Sequence, residues 1–513
     1  MKQKILGSIV AAALLSTTVI ADDTLMQRFD KMEKEMAALK AELSALKAQK
    51  TESAQKTAIV ASPDDKTVVT SNADVAKEID DIKDQLSNIN RKTNGNNLKF
   101  GVDFRTSVDN LQYTMADGSK QKNDALFSNR LWLNMNYAAT KNLSFTGQLA
   151  YNKTFGDRSK SPDGALSAYD GFDWVSSESA HDDTLRVRSA YFFYQDNELA
   201  GLDIPWTISL GRRPSTEGHL INLRDDIKAS SPLAHTINVE FDGASAKFGM
   251  EEITGLNGSY FKLCAGRGMS NAEPRFNSAP YAHSADLKTN NIDMAGLILV
   301  PYDDKQYSTG MQYTYANNLI DMVDQNASNG MTTVGGLHTA TAFAMVNGIG
   351  DGWSEFLDNT TLFISGAMSK TDPYAGHQGM LGSMESKTGY SYWIGTQFPS
   401  LISDEGRWGV EFNHGSQYWR PITYGEDTLI GSKIATRGDA YELYFTEPLV
   451  GDILTFQLRY TYINYNYSGS NGFFGSSTGT PMSMEQARSY GSAVSSQIVD
   501  HAQDIRAYIR YKF

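Results

Sequence analysis

The sequence carries one cysteine, Cys264, in 513 residues. A single thiol excludes an intramolecular disulfide and any multi-cysteine metal or haem site, and Cys264 reads as a small strand residue rather than a reactive thiol. Beyond residue 21 no apolar run approaches the about 20 residues of a membrane helix. The eight histidines are scattered, without an H-E-x-x-H pattern, so neither a dedicated metal site nor a cofactor is expected. Cations are in the minority, 46 Lys and Arg against 59 Asp and Glu, which argues against nucleic acid as a partner. What is abundant is aromatic and small: 26 Tyr, 23 Phe, 7 Trp and 43 Gly. With no apolar run, that composition suits a membrane β-barrel or a secreted all-β protein.

The first residues favour export. "MKQK" supplies a positive start, Ile5 to Ile20 an apolar stretch, and Val19-Ile20-Ala21 a small-residue cleavage site before Asp22, together a secretory signal peptide over 1–21. Removing Lys2 and Lys4 takes the formal charge from −13 to −15. Next, Leu25, Phe29, Met32, Met36, Leu39, Leu43 and Leu46 recur at steps of four and three, the seam of three coiled-coil heptads. Val75, Ile79, Ile82, Leu86 and Ile89 repeat the spacing after a linker that contains Pro63. The spacing is equally compatible with two helices folding back on each other, with zipping against other subunits, and with a helix lying on its own barrel. Residues 22–97 are thus expected to form a periplasmic coiled-coil segment, closed by the turn residues Asn94-Gly95-Asn96.

From Leu98 the period changes to two, and sixteen stretches read as strands, from about 98–106 and 126–138 through 236–249 to 504–513. Each approaches the about 9–11 residues of a tilted membrane-crossing strand. Short links such as "ATKN", "PYDDK" and "EPLVGD" alternate with long ones at 155–183, 213–235, 268–291, 370–387 and 467–503. Closed bacterial barrels have short periplasmic turns and long external loops. The expected fold of 98–513 is therefore all-β: a closed antiparallel transmembrane β-barrel of about sixteen strands in the outer membrane, with both of its ends and the coiled coil on the periplasmic side. In the last strand, Ile505, Ala507, Ile509, Tyr511 and Phe513 should meet lipid, and Arg506, Tyr508, Arg510 and Lys512 a wet lumen. Phe513 resembles the terminal assembly signal of outer-membrane barrels, which makes lipids and the barrel-assembly machinery the expected partners. Trp132, Trp206, Trp393, Trp408 and Tyr511 are candidates for an interfacial girdle.

Five stretches carry a family resemblance: "NDALFSNRLWLNMNY", "IPWTISLGRRPSTEGHLINLRDD", "NVEFDGASAKF", "YWRPITYGEDTLIGSKIATRGDAYE" and "YSGSNGFFG". They resemble the family numbered 3373 among the domains of unknown function, found in campylobacter-type and related bacteria. The resemblance covers most of 98–513 and implies a porin-like outer-membrane protein, without substrate or catalytic residues.

In sixteen-stranded porins the loop between strands five and six folds into the lumen. The corresponding link places Arg212, Arg213, Arg224 and Lys228 near Glu217, Asp225 and Asp226, opposed charges that would select and orient ions. Arg212, Arg213, Glu217, Arg224, Asp225 and Asp226 are the candidate constriction, against the alternative of a solvated loop with local salt bridges. Enzyme motifs are weak. The G-x-S-x-G at 475–479 lacks the strand-turn-helix setting of a nucleophile elbow, 348–352 reads as a turn, and Arg437-Gly438-Asp439 is a chance tripeptide. A diffusion porin, able to form a homotrimer, is the expected function. The alternative is an envelope tether or adhesin with a plugged barrel, and no enzyme is expected.

Overall fold

The computed structural model describes residues 98–513, apart from 156–184, 214, 271, 275–280, 284–289, 323–329, 351, 377–378, 424 and 470–479. The expected signal peptide, both heptad runs and the 475–479 motif lie outside the described residues. Sixteen strands close into one antiparallel barrel: β1 (Leu98–Met115), β2 (Lys120–Ala138), β3 (Leu143–Thr154), β4 (Arg186–Asp196), β5 (Trp206–Arg212), β6 (Asp242–Gly249), β7 (Tyr260–Met269), β10 (Ile292–Asp303), β11 (Tyr307–Met322), β12 (Met331–Asn347), β13 (Thr361–Pro373), β14 (Thr388–Pro399), β15 (Arg407–Gly415), β16 (Gly438–Val450), β17 (Leu454–Tyr465) and β18 (Val499–Lys512). The remaining pair, β8 (Ala272–Pro274) and β9 (Tyr281–His283), forms a separate short hairpin. Each barrel strand pairs with its neighbours in sequence, and β18 closes on β1 with Phe104 opposite Tyr511 and Asp109 opposite Arg506. Closure satisfies every strand edge internally.

The alternation expected for the last strand is present. Ile505, Ile509 and Tyr511 are exposed on the outer face, while Arg506 and Arg510 are only 2% and 4% exposed. The barrel is apolar outside and charged within, the inverse of a water-soluble domain. Two expected girdle residues depart from that place: Trp132 and Trp393 are buried in the interior. Strand parity is the reason, because Tyr392 and Ile394 take the outer face on either side of Trp393.

Links at one end are short, as at 139–142, 304–306 and 451–453, and most links at the other are long, as at 155–185, 213–241, 416–437 and 466–498. The first link at the long end departs from this: β1 and β2 extend past the expected 106 and 126 and meet in a tight turn at 116–119, where Gly118 has φ 83°.

Two long links enter the barrel. Residues 232–241 are buried throughout, so the expected strand 236–249 begins instead at Asp242. A wall strand needs one exposed face, and 236–241 has none. This limb pairs with the other inward link: Asn238 N donates to Ile422 O at 2.7 Å, and Ile422 N to Thr236 O at 2.9 Å. Ile237, Val239 and Ile422 then pack on Ile292, Leu319 and Leu337 of the wall.

Candidate functional site: the lumen and its two inward loops

The first inward loop starts where β5 ends at "SLGRR". Gly211, still within β5, has φ 136°, and a Cβ there would stand 2.4 Å from the Ala190 carbonyl oxygen, so only glycine fits this point of the strand. Its two limbs then touch, since a Cβ on Gly218 would lie 1.8 Å from Pro232 O. Deep in the lumen, His235 sets Nδ1 2.8 Å from the Ser365 hydroxyl and Nε2 2.9 Å from the Ser391 hydroxyl. A neutral imidazole serves both contacts, donating at one nitrogen and accepting at the other. Burial pushes its pKa down to about 3.

The second loop, 416–437, brings carboxylates to the arginines of the wall. Asp427 pairs with Arg105 of β1, with Arg130 of β2 at 3.3 Å and with Arg506 of β18 at 3.1 Å. Those guanidinium groups, Arg105 first among them, overcome the burial of the Asp427 carboxyl and hold its pKa well below the usual range. Glu426 accepts from Arg224 at 2.9 Å, joining the two loops. Lys433 reaches Glu411 of β15 at 2.7 Å and also pairs with Glu442 of β16. The Trp393 indole N–H donates to Glu411 at 2.8 Å. On the facing side of the lumen, Arg188 donates to Glu217 at 3.1 Å and lies over the Trp132 ring, 4.3 Å from its centroid, a cation–π contact.

Charges of both signs thus line the lumen: wall arginines meet loop carboxylates at Asp427 and Glu217, wall Glu411 and Glu442 meet Lys433 of the second loop, and Asp103 and Asp109 of β1 pair with Arg510 and Arg506 of β18 within the wall. Between the first loop and strands β1 to β4, at the short-turn end, lies a polar cavity of about 400 Å³, lined among others by Arg188, Arg213, Glu217 and Ser231.

A family model described as "Protein of unknown function (DUF3373)" matches residues 120–513. The chain belongs to this family. No curated protein matches it. Similar solved structures include OmpF of Salmonella typhi in complex with daunomycin, with 12% identity, 81% of this chain and 97% of that chain covered, and a TM-score of 0.42. In-vitro folded OmpT, an outer membrane protein of Vibrio cholerae, gives 12% identity, 81% and 97% coverage and a TM-score of 0.40. A mutant of the Rh. blastica porin gives 11%, 81% and 100%, with a TM-score of 0.38. Likenesses this distant carry no argument about function.

In this DUF3373 chain the six sequence-selected charges fall in three places. Arg212 donates to Glu240 at 2.9 Å, and Arg213 to Ser245 at 3.0 Å, on the β5–β6 wall; Glu217 is held nearby by Arg188. Arg224 and Asp225 lie across the lumen, Arg224 fully buried and Asp225 3.7 Å from Arg459 of β17. Asp226 sits nearer solvent, 2.9 Å from Arg407. Burial disfavours the Arg224 charge, but Asp225, Glu442 and Glu426 raise its pKa well above the ordinary value. Sequence reasoning missed the second loop, with Glu426, Asp427 and Lys433, although one signal was present. Trp419, Ile422, Ile430 and Ile434 are too apolar for a solvated external loop, and all four are buried. Arg437 of the Arg-Gly-Asp tripeptide is buried as well, its Nε donating to Trp419 O, which removes it as an adhesion motif.

Proposed function

We propose that this protein is an outer-membrane, porin-like channel for passive diffusion of small hydrophilic solutes or ions, with its short-turn end and N-terminal segment in the periplasm. One observation carries the reading. A closed barrel exposes leucine, isoleucine and aromatic side chains all around its outer wall and turns its charges inward, the arrangement that a lipid surround and a polar interior favour. Arg212, Arg213, Glu217, Arg224, Asp225 and Asp226, with Glu426 and Asp427 from the second loop, form the proposed constriction. A homotrimer and delivery by the barrel-assembly machinery through Phe513 belong to the same reading.

A second reading, an envelope tether or adhesin with a plugged barrel and a periplasmic coiled coil, is favoured by a different observation. Wall arginines meet the loop carboxylates Asp427 and Glu217 in direct ion pairs instead of facing them across a gap. Single-channel recording of the purified full-length protein in a planar bilayer separates the two. Discrete conductance steps are expected for the channel, and a reversal potential in a salt gradient that shifts toward cations when Arg212 and Arg213 are both replaced by Gln. Folded protein that gives no steps would overturn the channel in favour of the tether.

A further inference from the structure

Inside the barrel, buried cations are generally matched by acids. Arg105, Arg188, Arg224, Lys433, Arg506 and Arg510 each lie within ion-pair distance of a carboxylate. Two neighbouring cations are held differently. Lys262, on β7, is 6% exposed, and its ammonium donates to the Ser231 hydroxyl. Arg213, where the first loop leaves the wall, donates to the hydroxyls of Ser209 and Ser245 and lies 5.3 Å from the Tyr191 ring centroid. Among the described residues neither forms an ion pair with a carboxylate. Lys247 faces Lys262 in the β6–β7 register and sets its ammonium 3.8 Å from the Tyr260 ring centroid, so a third positive charge stands nearby.

Arg213 and Lys262 line one cavity of about 40 Å³ together with Ser215, Ser231 and Ser245, and Ile237, Phe241, Met294 and Ile298 form its apolar side. That is room for about three water-sized groups, which one tetrahedral oxyanion would occupy. Arg213 and Ser231 also line the larger cavity of about 400 Å³, so the two cavities lie on either side of the same residues. Like charges buried side by side lose hydration and repel each other, and hydroxyl partners offset only part of that cost. A counter-anion would remove it. A guanidinium fork, an ammonium and several hydroxyl donors are also the groups that bind a tetrahedral oxyanion well.

We propose that Arg213, Lys262 and the hydroxyls between them form a binding site for a small inorganic oxyanion of the sulfate or phosphate type. That this anion is also a permeating solute rests on the channel reading; the site itself does not. The test is calorimetric titration of sodium sulfate into the purified, folded full-length protein in a sulfate-free, phosphate-free buffer. Wild type should bind saturably. Arg213→Gln and Lys262→Gln should each weaken binding by about tenfold or more, Lys262→Arg should retain it, and Lys370→Gln, on the exposed face of β13, should leave it unchanged. Retention of heat-modifiable mobility on electrophoresis identifies variants that fold, and if Lys262→Gln does not fold, the half-buried Arg213→Gln decides. No saturable sulfate binding by folded wild type, or equal binding in the folded Gln variants, overturns the site. Sulfate binding by a barrel that does not conduct would keep the site and overturn the channel, and conductance without sulfate binding would do the reverse.

Discussion

Two loop residues carry much of what can be tested one side chain at a time. Asp427 answers three arginines from three wall strands, so Asp427→Asn leaves buried positive charge without its counter-charge. The expected cost is about 3–5 kcal/mol, read as a lower urea midpoint for loss of tryptophan fluorescence in detergent. His235 makes a separate prediction. Because burial holds its pKa at about 3 against an ordinary 6.5, the folded barrel binds fewer protons than the unfolded chain between those values. Its contribution is complete above pH 6.5 and falls by about 1.4 kcal/mol per unit as the pH drops through that window. The depressed Asp427 carboxyl acts in the same direction but only at lower pH, from its ordinary 3.8 downward. Between pH 6.5 and 4 His219, whose pKa burial also lowers, adds to the slope, so the comparison with the variant makes the assignment: His235→Gln should make that part of the urea-midpoint profile shallower than in wild type. An unchanged slope in the variant would remove the assignment.

Elements close the barrel and fill it. At the seam, Phe513 N donates to Val102 O at 2.9 Å and Val102 N to Phe513 O at 2.8 Å, the final rung of the β1–β18 pairing, while the Phe513 ring stays exposed on the outside. Deleting Phe513 removes both hydrogen bonds, worth about 2 kcal/mol together, along with the proposed assembly signal. The heat-modifiable folded fraction in the outer membrane should fall, and a normal fraction would count against the role. Filling depends on the inward loops. Replacing 416–437 by a short Gly-Ser turn removes Asp427 and Lys433 together with the apolar residues that hold the first loop through Ile422. Conductance in a planar bilayer should then rise several-fold if the loop narrows an existing passage. It should appear for the first time if the loop is a plug.

For the whole molecule, the proposed coiled coil over Leu25 to Leu46 predicts association between chains. Leu39→Asp would place a charge where a partner helix needs apolar contact. Chemical crosslinking of the full-length protein in membranes should then yield less trimer than wild type, while the folded barrel persists. Equal crosslinking would restrict the helices to contacts within one chain. Much of the barrel was legible in advance, and the reason is local. Strand parity and link length are properties of neighbouring residues, so Ile505 and Arg506 could be assigned to opposite faces, and the long and short ends distinguished, without knowing any partner. Parity also explains the failures. Trp132 and Trp393 were assigned by residue type to a rim where tryptophan is common, but their places in the alternation turn them inward. Residues 236–241 alternate like a wall strand, yet they lie inside the lumen, where backbone hydrogen bonds join them to the second loop and wall residues such as Gln312 and Arg212 meet the face that would otherwise have been exposed.

The sequence by itself determined that the chain alternates at period two from Leu98, that its final strand is apolar on one side and basic on the other, and that Arg212 to Asp226 bring both signs of charge into a long link after β5. These follow from the order of side chains along an extended backbone, which repeats every two residues whatever surrounds it. Tertiary structure alone decided which charges meet. Asp427 is separated from Arg105 by 322 positions in the chain, and Lys262 comes beside Arg213 only because the barrel closes and the loop turns back inside it. Ion pairing acts through space at a few ångströms and carries no local periodicity, so the pinning of Asp427 and the unmatched pair at Arg213 and Lys262 could be read only after the strands had been folded into a ring.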